Sequence, residues 1–217
     1  MYDVAPWASL YASYSRSFVP TVGTSFDGTP FEPETGEQAE AGIKADLLNR
    51  RLSATLAVYE LRRQNVTTAD PDNPGFSIQT GEQRARGIEL DLAGDLSPAW
   101  KLLGSAAYTD ATLTKDNTFT PGNRIQGVPR LSSSVWLTHE VRSGEWKGFG
   151  VGAGLFAAGE REGGLANSYR VPGYTRADAS LFYRGNGDAK RFRPRDRSLD
   201  DARDATSPPP SPYRSIE

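Results

Sequence analysis

The chain has 217 residues with no cysteine, one histidine and one methionine. Without cysteine there are no disulfides, thiolate metal sites or cysteine nucleophiles. A lone His139 excludes multi-histidine metal centres and most histidine-based acid–base schemes. A formal net charge of -2 gives no basic footprint for nucleic acid. Glycine-rich phosphate loops, nucleophile elbows and metal-binding motifs are also missing, so the residues point away from an enzyme. No stretch approaches the roughly 18–20 apolar residues of a membrane-crossing helix. With 37% hydrophobic residues and a mean hydropathy of -0.56, the chain reads by hydropathy alone as water-soluble. The opening Met1 to Trp7 has neither a basic nor an apolar secretory region. The expectation is either a cytoplasmic protein or a chain whose N-terminal portion is missing.

Helical periodicity is nearly absent too. Alternation takes its place, which is the signal of strands with two unlike faces. Ala39, Ala41, Ile43, Ala45 and Leu47 alternate with Glu40, Gly42, Lys44 and Asp46. Leu52, Ala54, Leu56 and Val58 do the same, as do Ile88, Leu90 and Leu92 against Gly87, Glu89 and Asp91. Phe149, Val151, Ala153 and Leu155 alternate with Gly150, Gly152 and Gly154. Ala177, Ala179, Leu181 and Tyr183 close the series. About eight such runs are expected, over 7–17, 37–48, 51–65, 77–94, 99–114, 129–141, 148–160 and 172–184. The faces of 99–114 and 129–141 stay ambiguous, because Ala, Ser and Leu mix on both. Many runs are longer than a usual globular strand of about five or six residues. Crossing a bilayer takes roughly 9–11 tilted strand residues.

The connections alternate in length. Segments 18–36, 66–76, 115–128 and 161–171 are long; Asn49-Arg50, Leu96 to Pro98 and Arg142 to Lys147 are short. In an antiparallel meander this gathers the long loops at one end, as in outer-membrane barrels with long extracellular loops and short periplasmic turns. Trp7, Trp100, Trp146 and Phe149 fall near the short turns, where an interfacial aromatic belt is expected. The plain alternative is that aromatics simply favour strands.

Five stretches together resemble the TonB-dependent siderophore receptors of Gram-negative outer membranes. They are Leu10 to Pro20 (LYASYSRSFVP), Pro33 to Lys44 (PETGEQAEAGIK), Ala57 to Val66 (AVYELRRQNV), Gln83 to Leu92 (QRARGIELDL) and Val171 to Leu181 (VPGYTRADASL). The resemblance spans residues 2–185. It implies an all-β antiparallel meander, part of a transmembrane barrel of about 22 strands. Residues 1–185 would then be a C-terminal barrel portion without plug domain, TonB box or last strands. Residues 186–217 turn rich in Arg and Pro and lose alternation. They read as a disordered tail, or as a frameshifted translation replacing family strands.

The resemblance further implies uptake of a ferric siderophore, driven by the TonB–ExbB–ExbD system through the absent plug. Iron would arrive already chelated, so no cofactor is expected; outer-membrane lipid is a partner and nucleic acid is not. Phe18, Phe26, Phe31, Tyr59, Tyr108 and Phe119 are candidates for the ligand-facing vestibule, or else aromatics that pack loops. Glu40, Lys44, Asp46, Glu89 and Asp91 would line the lumen and seat the plug, because Lys or Arg facing lipid costs roughly 2–4 kcal/mol at midplane. Gly42, Gly87 and the Gly150 stripe would admit the plug or bend strands. Pro33 and Glu34 mark strand entry with no assigned chemistry. His139 is read as an interfacial residue. Two other architectures stay open. One is a closed eight-stranded barrel with a structural or adhesion role, requiring 7–17 to pair with 172–184. The other is a soluble β-sandwich binding module.

Overall fold

Alternating side chains dictate strands, and every long run becomes one. The computed structural model describes residues 1–185. The strands are β1 (Tyr2–Ala5), β2 (Ala8–Val19), β3 (Glu34–Leu47), β4 (Leu52–Ala69), β5 (Ser77–Ser97), β6 (Trp100–Lys115), β7 (Leu131–Glu140), β8 (Phe149–Ala158), β9 (Arg161–Glu162), β10 (Arg170–Val171) and β11 (Tyr174–Tyr183). No helix occurs among the described residues. The proposed boundary at 185 and the character of the tail lie outside them.

One antiparallel sheet runs β1-β2-β3-β4-β5-β6-β7-β8-β11, each strand from β1 to β8 beside its chain neighbour and β11 beside β8. The expected eight runs all appear. The additional β1 folds back on β2 through Pro6 and Trp7, and β9–β10 form a small separate hairpin inside the last loop. Short connections (48–51, 98–99, 141–148) lie at one end and the loops 20–33, 116–130 and 159–173 at the other. The loop 70–76 is shorter than expected because β4 and β5 extend past their neighbours at that end. Leu48, Asn49 and Arg50 all adopt left-handed φ of 52, 57 and 64° to make the tight β3–β4 turn. Such a conformation is uncommon outside glycine, least so for Asn.

The two alternative architectures fail on topology. β2 pairs with β1 and β3, and β11 pairs with β8, so no β2–β11 seam closes a small barrel among the described residues. A sandwich needs a second sheet to cover the apolar face. The only other sheet among those residues is the two-residue β9–β10 ladder.

Register decides which side chains share a face, because directly paired residues project to the same side. One apolar row runs Leu10–Ile43–Leu56–Leu90–Ala106, and the next runs Ala45–Ala54–Leu92–Gly104–Val135–Leu155–Ala177. The pairing settles β6 and β7: Leu102, Ala106, Tyr108, Leu131, Val135 and Leu137 belong to the apolar face. This face is uncovered; Val58 and Leu155 are each 52% exposed.

Aromatics gather at its short-turn end. Trp100 pairs with His139 and their rings lie 4.5 Å apart. Phe149 pairs with Tyr183 at 4.7 Å, and Trp146 stacks edge-on to Phe149 at 5.3 Å. The register puts the Leu131 row ten residues above Phe149 along β8. Ten residues span about 33 Å along a strand, or about 25 Å of height at barrel-like tilt, the height of a lipid-facing apolar band.

Candidate functional site: the polar face and its loop end

The opposite face carries the chemistry. Glu40, Lys44 and Asp46 of β3 share it with Thr55 and Tyr59 of β4 and with Glu89 and Asp91 of β5. Four carboxylates thus surround one lysine within three adjacent strands. Tyr11 organises the near edge. Its hydroxyl donates to Glu40 Oε1 at 2.7 Å, and Lys44 Nζ lies 5.0 Å from its ring centroid. Gln38 Nε2 donates to the other Glu40 oxygen at 3.0 Å. The tyrosine therefore bridges an anion and a cation that stand four residues apart on β3.

Its position depends on Gly42, the residue paired with Tyr11. A Cβ there would lie 2.6 Å from Tyr11 Cε1 and from the Leu56 carbonyl oxygen. The same device recurs on this face. Tyr59 pairs with Gly87 and lies over it, its hydroxyl 3.1 Å from Thr109 Oγ1. Trp136 pairs with Gly154 and covers both Gly154 and Gly152. Phe182 pairs with Gly150 and covers it. Each ring is folded flat onto the neighbouring backbone where a side chain would otherwise stand. The alternating glycines of β8 thus make room for aromatics of β7 and β11. This is a use beyond the plug access or strand bending that the sequence suggests for them. The flat rings leave the polar face low in profile despite its bulky residues.

At the loop end, Pro33 and Glu34 acquire definite partners. The Pro33 carbonyl accepts from Asn65 Nδ2 at 3.1 Å, and the Glu34 carboxylate receives the Arg63 guanidinium, with Nε at 2.8 Å. Gln79 completes the strap: its amide exchanges two 2.6 Å hydrogen bonds with the Glu32 backbone. Asn65 itself sits at a β-bulge with φ 60°. Loop 20–33 is thereby fastened to the β4–β5 extension, with Phe26 and Phe76 edge to face at 5.0 Å. Phe31 closes the same loop, its amide donating to the Gly23 carbonyl at 3.0 Å.

The six aromatic candidates do not form one surface. Tyr59 is on the polar face. Tyr108 and Phe18 belong to the apolar parity, Tyr108 in the row of Val58, Ile88 and Leu131. Phe26 and Phe31 pack loop 20–33, and Phe119 sits in loop 116–130 with its amide on Asp116 Oδ1 at 2.8 Å. Alternation within β6 could have separated Tyr108 from Tyr59, had its face been readable without a partner strand.

Asn167 was not singled out from sequence and ties the two remaining long loops together. Its Oδ1 accepts from the Arg124 amide at 2.7 Å and its Nδ2 donates to the Arg124 carbonyl at 2.9 Å. Beneath it Glu162 is buried, with Arg170 Nε at 3.1 Å and Arg124 Nη1 at 3.8 Å. No group of three or more His, Cys, Asp or Glu comes together as a metal site among the described residues.

Asp70 caps the β4–β5 loop. The Asn73 side-chain amide and the Asp72 and Asn73 backbone amides hold its carboxyl below the usual carboxylate range. A depressed folded value means that its stabilisation is complete above the unfolded value, near pH 4, and is lost as pH falls through the folded one. Proteolytic cutting within 70–76 is expected to rise only in that acid window. Asp70→Asn should cut faster at neutral pH and respond less to acid; equal rates for both proteins at pH 7 would refute the cap.

A family model described as TonB dependent receptor-like, beta-barrel, matches residues 1–197. The metal-pseudopaline receptor CntO of Pseudomonas aeruginosa is 41% identical over 184 residues, covering 84% of this chain and 26% of that protein. The ferrichrome outer membrane transporter/phage receptor of Escherichia coli is 39% identical, covering 80% of this chain and 23% of the relative. Among solved structures, the siderophore receptor PiuA from Acinetobacter baumannii superposes with a TM-score of 0.73 at 26% identity, over 84% of this chain and 28% of its own. The chain spans about a quarter of the length of the curated relatives it matches.

Proposed function

Because the chain belongs to the TonB-dependent receptor-like β-barrel family, we propose that it forms part of the wall of a receptor importing a ferric siderophore. Relatives of this family are outer-membrane receptors of Gram-negative bacteria, and the family is one of transport proteins. The observation that carries the reading is the two-faced sheet. A continuous apolar face, bounded by the Trp100–His139 and Phe149–Tyr183 pairs, backs onto a face of Glu40, Lys44, Asp46, Glu89 and Asp91. In a barrel the apolar face meets lipid and the charged one the lumen.

The acidic excess on the lumen side suits a plug of complementary charge. The flat Tyr11, Tyr59, Trp136 and Phe182 rings leave it room. Chelate would be captured at the end of loops 20–33, 116–130 and 159–173, with Tyr59, Phe26, Phe31 and Phe119 as its aromatic surface. Tyr108 and Phe18 do not belong to that surface, since their parity is the apolar one. The periplasmic TonB system would then act on the plug, using inner-membrane energy. Iron is cargo inside its chelator, so the wall supplies no ligand to the metal.

Deleting the receptor that contains this segment is expected to abolish uptake of at least one radiolabelled ferric siderophore. Unchanged uptake across hydroxamate, catecholate and mixed chelates would sink the reading. The 217 residues expressed by themselves are expected to restore no uptake. Among the described residues the sheet ends at β1 and β11, and such edges left unpaired would expose backbone groups to hydrocarbon, each costing several kcal/mol. Rescue of iron-limited growth by these residues alone would overturn that expectation.

A further inference from the structure

Two asparagine side chains join long loops that are far apart in sequence. Segment 122–125 folds back along β6 beyond the start of β7. Leu113 donates its amide to the Asn123 carbonyl at 2.8 Å, Ile125 donates to the Ala111 carbonyl at 2.9 Å, and Arg124 stands opposite Thr112. In this antiparallel pattern the N–H and C=O of Arg124 point away from β6 as edge groups. Such groups need partners. The Asn167 side chain supplies both, its amide standing where the peptide group of a further strand would be. Close by, Asn123 Nδ2 donates to the Leu165 carbonyl at 2.9 Å, and the Gly127 amide donates to the Glu162 carbonyl of β9 at 2.9 Å. Loop 159–173 is thus bonded to loop 116–130 at Asn123, Arg124 and Gly127.

Asn167 holds a left-handed φ of 52°, which asparagine tolerates better than most residues. Its Nδ2 also lies 3.1 Å from the Gly164 carbonyl of its own loop. Behind the joint the Glu162 carboxylate is buried, facing Arg124 of the other loop at 3.8 Å. Sliding one loop past the other would leave these two charges buried and apart, which is costly.

Asn117, at the start of loop 116–130, makes a second joint. Its Nδ2 lies 2.9 Å from Thr80 Oγ1 and 3.2 Å from both Thr68 Oγ1 and the Ala69 carbonyl. Thr68 and Thr80 are themselves hydrogen-bonded at 2.9 Å across the β4–β5 extension.

We propose that loops 116–130 and 159–173 form one preassembled body at the rim, with Asn167 as its positioning residue and Asn117 as the pin that fixes it to the β4–β5 extension. The inference goes beyond the import reading. Where that reading also holds, the mouth is fixed on this side and takes chelates by fit.

Hydrogen exchange of the intact receptor in detergent, read by mass spectrometry on loop peptides, tests this. In the wild type, segments 122–128 and 161–170 should open together, with equal protection and the same response to mild denaturant, as one cooperative unit does. Unequal protection or response overturns the proposal, and that arm needs no variant to fold. Asn167→Gly accepts the left-handed backbone and removes the side-chain amide. It should speed exchange about tenfold in both segments, the effect of two lost hydrogen bonds, while β3 and β4 keep their rates. Acceleration confined to 161–170 overturns the joint. Asn167→Asp keeps an acceptor for the Arg124 amide and should recover part of the protection; no recovery also counts against the joint. Asn117→Ala should speed exchange in 70–76 as well as in 116–128, and an unchanged 70–76 removes the pin. A rim that behaves as one body in a receptor importing no ferric siderophore would keep this inference and reject the import reading.

Discussion

Gly154→Val is expected to destabilise the barrel wall by about 2–3 kcal/mol, the usual penalty of overpacking a filled site. A Cβ at Gly154 would lie 2.2 Å from Trp136 Cε3 and 3.0 Å from the Val135 carbonyl oxygen. The ring cannot retreat easily, because Gly152 lies beneath its other edge; a Cβ there would lie 2.8 Å from Trp136 Cζ2. The Trp136 Nε1 is meanwhile held by Thr138 Oγ1 at 3.1 Å. Trp136→Ala removes the obstruction, so the double variant should be less unstable than the two single losses predict, by about 1–2 kcal/mol of coupling. Denaturant titration of the receptor in detergent, followed by tryptophan emission and heat-modifiable migration, reads both quantities. Strict additivity of the two substitutions would show that the ring does not depend on the glycine.

Leu92→Arg is expected to cost about 2–4 kcal/mol, whereas Thr55→Arg should cost little. The two positions belong to neighbouring strands but to opposite faces. Leu92 is in the row of Ala54, Gly104, Val135 and Leu155, midway between the Phe149 and Leu131 rows. A guanidinium there would stand near the centre of the bilayer. Thr55 pairs with Lys44 and Asp91, where an added cation meets carboxylates and water. Unfolding measured in liposomes of defined composition separates the cases. Comparable losses at both sites would refute the assignment of faces, because a soluble sheet has no reason to treat them so differently.

Much of the wall was legible from residues alone. β3, β4, β5 and β8 alternate so regularly that their faces needed no partner. Glu40, Lys44, Asp46, Glu89 and Asp91 were grouped on one side before any pairing was known, and the register keeps them there. β1 escaped notice because four residues cannot establish a period, and β9 and β10 are shorter still. β6 and β7 carry small residues on both faces, so their own sequence is neutral. Their sidedness comes from Tyr108 pairing with Leu131 and Trp100 with His139. The same neutrality explains why Tyr108 was grouped with Tyr59 as a vestibule aromatic although the two face opposite ways. The loop strap was invisible for another reason. Gln79 and Glu32 are 47 residues apart, and neither forms part of a pattern that a linear reading detects.

What the sequence determined by itself is the kind of surface. Period-2 alternation, strands too long for a globular sheet and long loops at one end describe a membrane barrel wall. They do so because each property follows from the local order of residues. Lack of cysteine and near-lack of histidine are composition and need no coordinates. The tertiary structure decided everything that depends on which residue stands opposite which. Register places Tyr11 on Gly42, Tyr59 on Gly87, Trp136 on Gly154 and Phe182 on Gly150, turning bulky rings into a flat wall. A one-residue slip in a pairing would leave each strand's alternation intact and abolish the ring–glycine contact across it, so local pattern cannot encode such contacts.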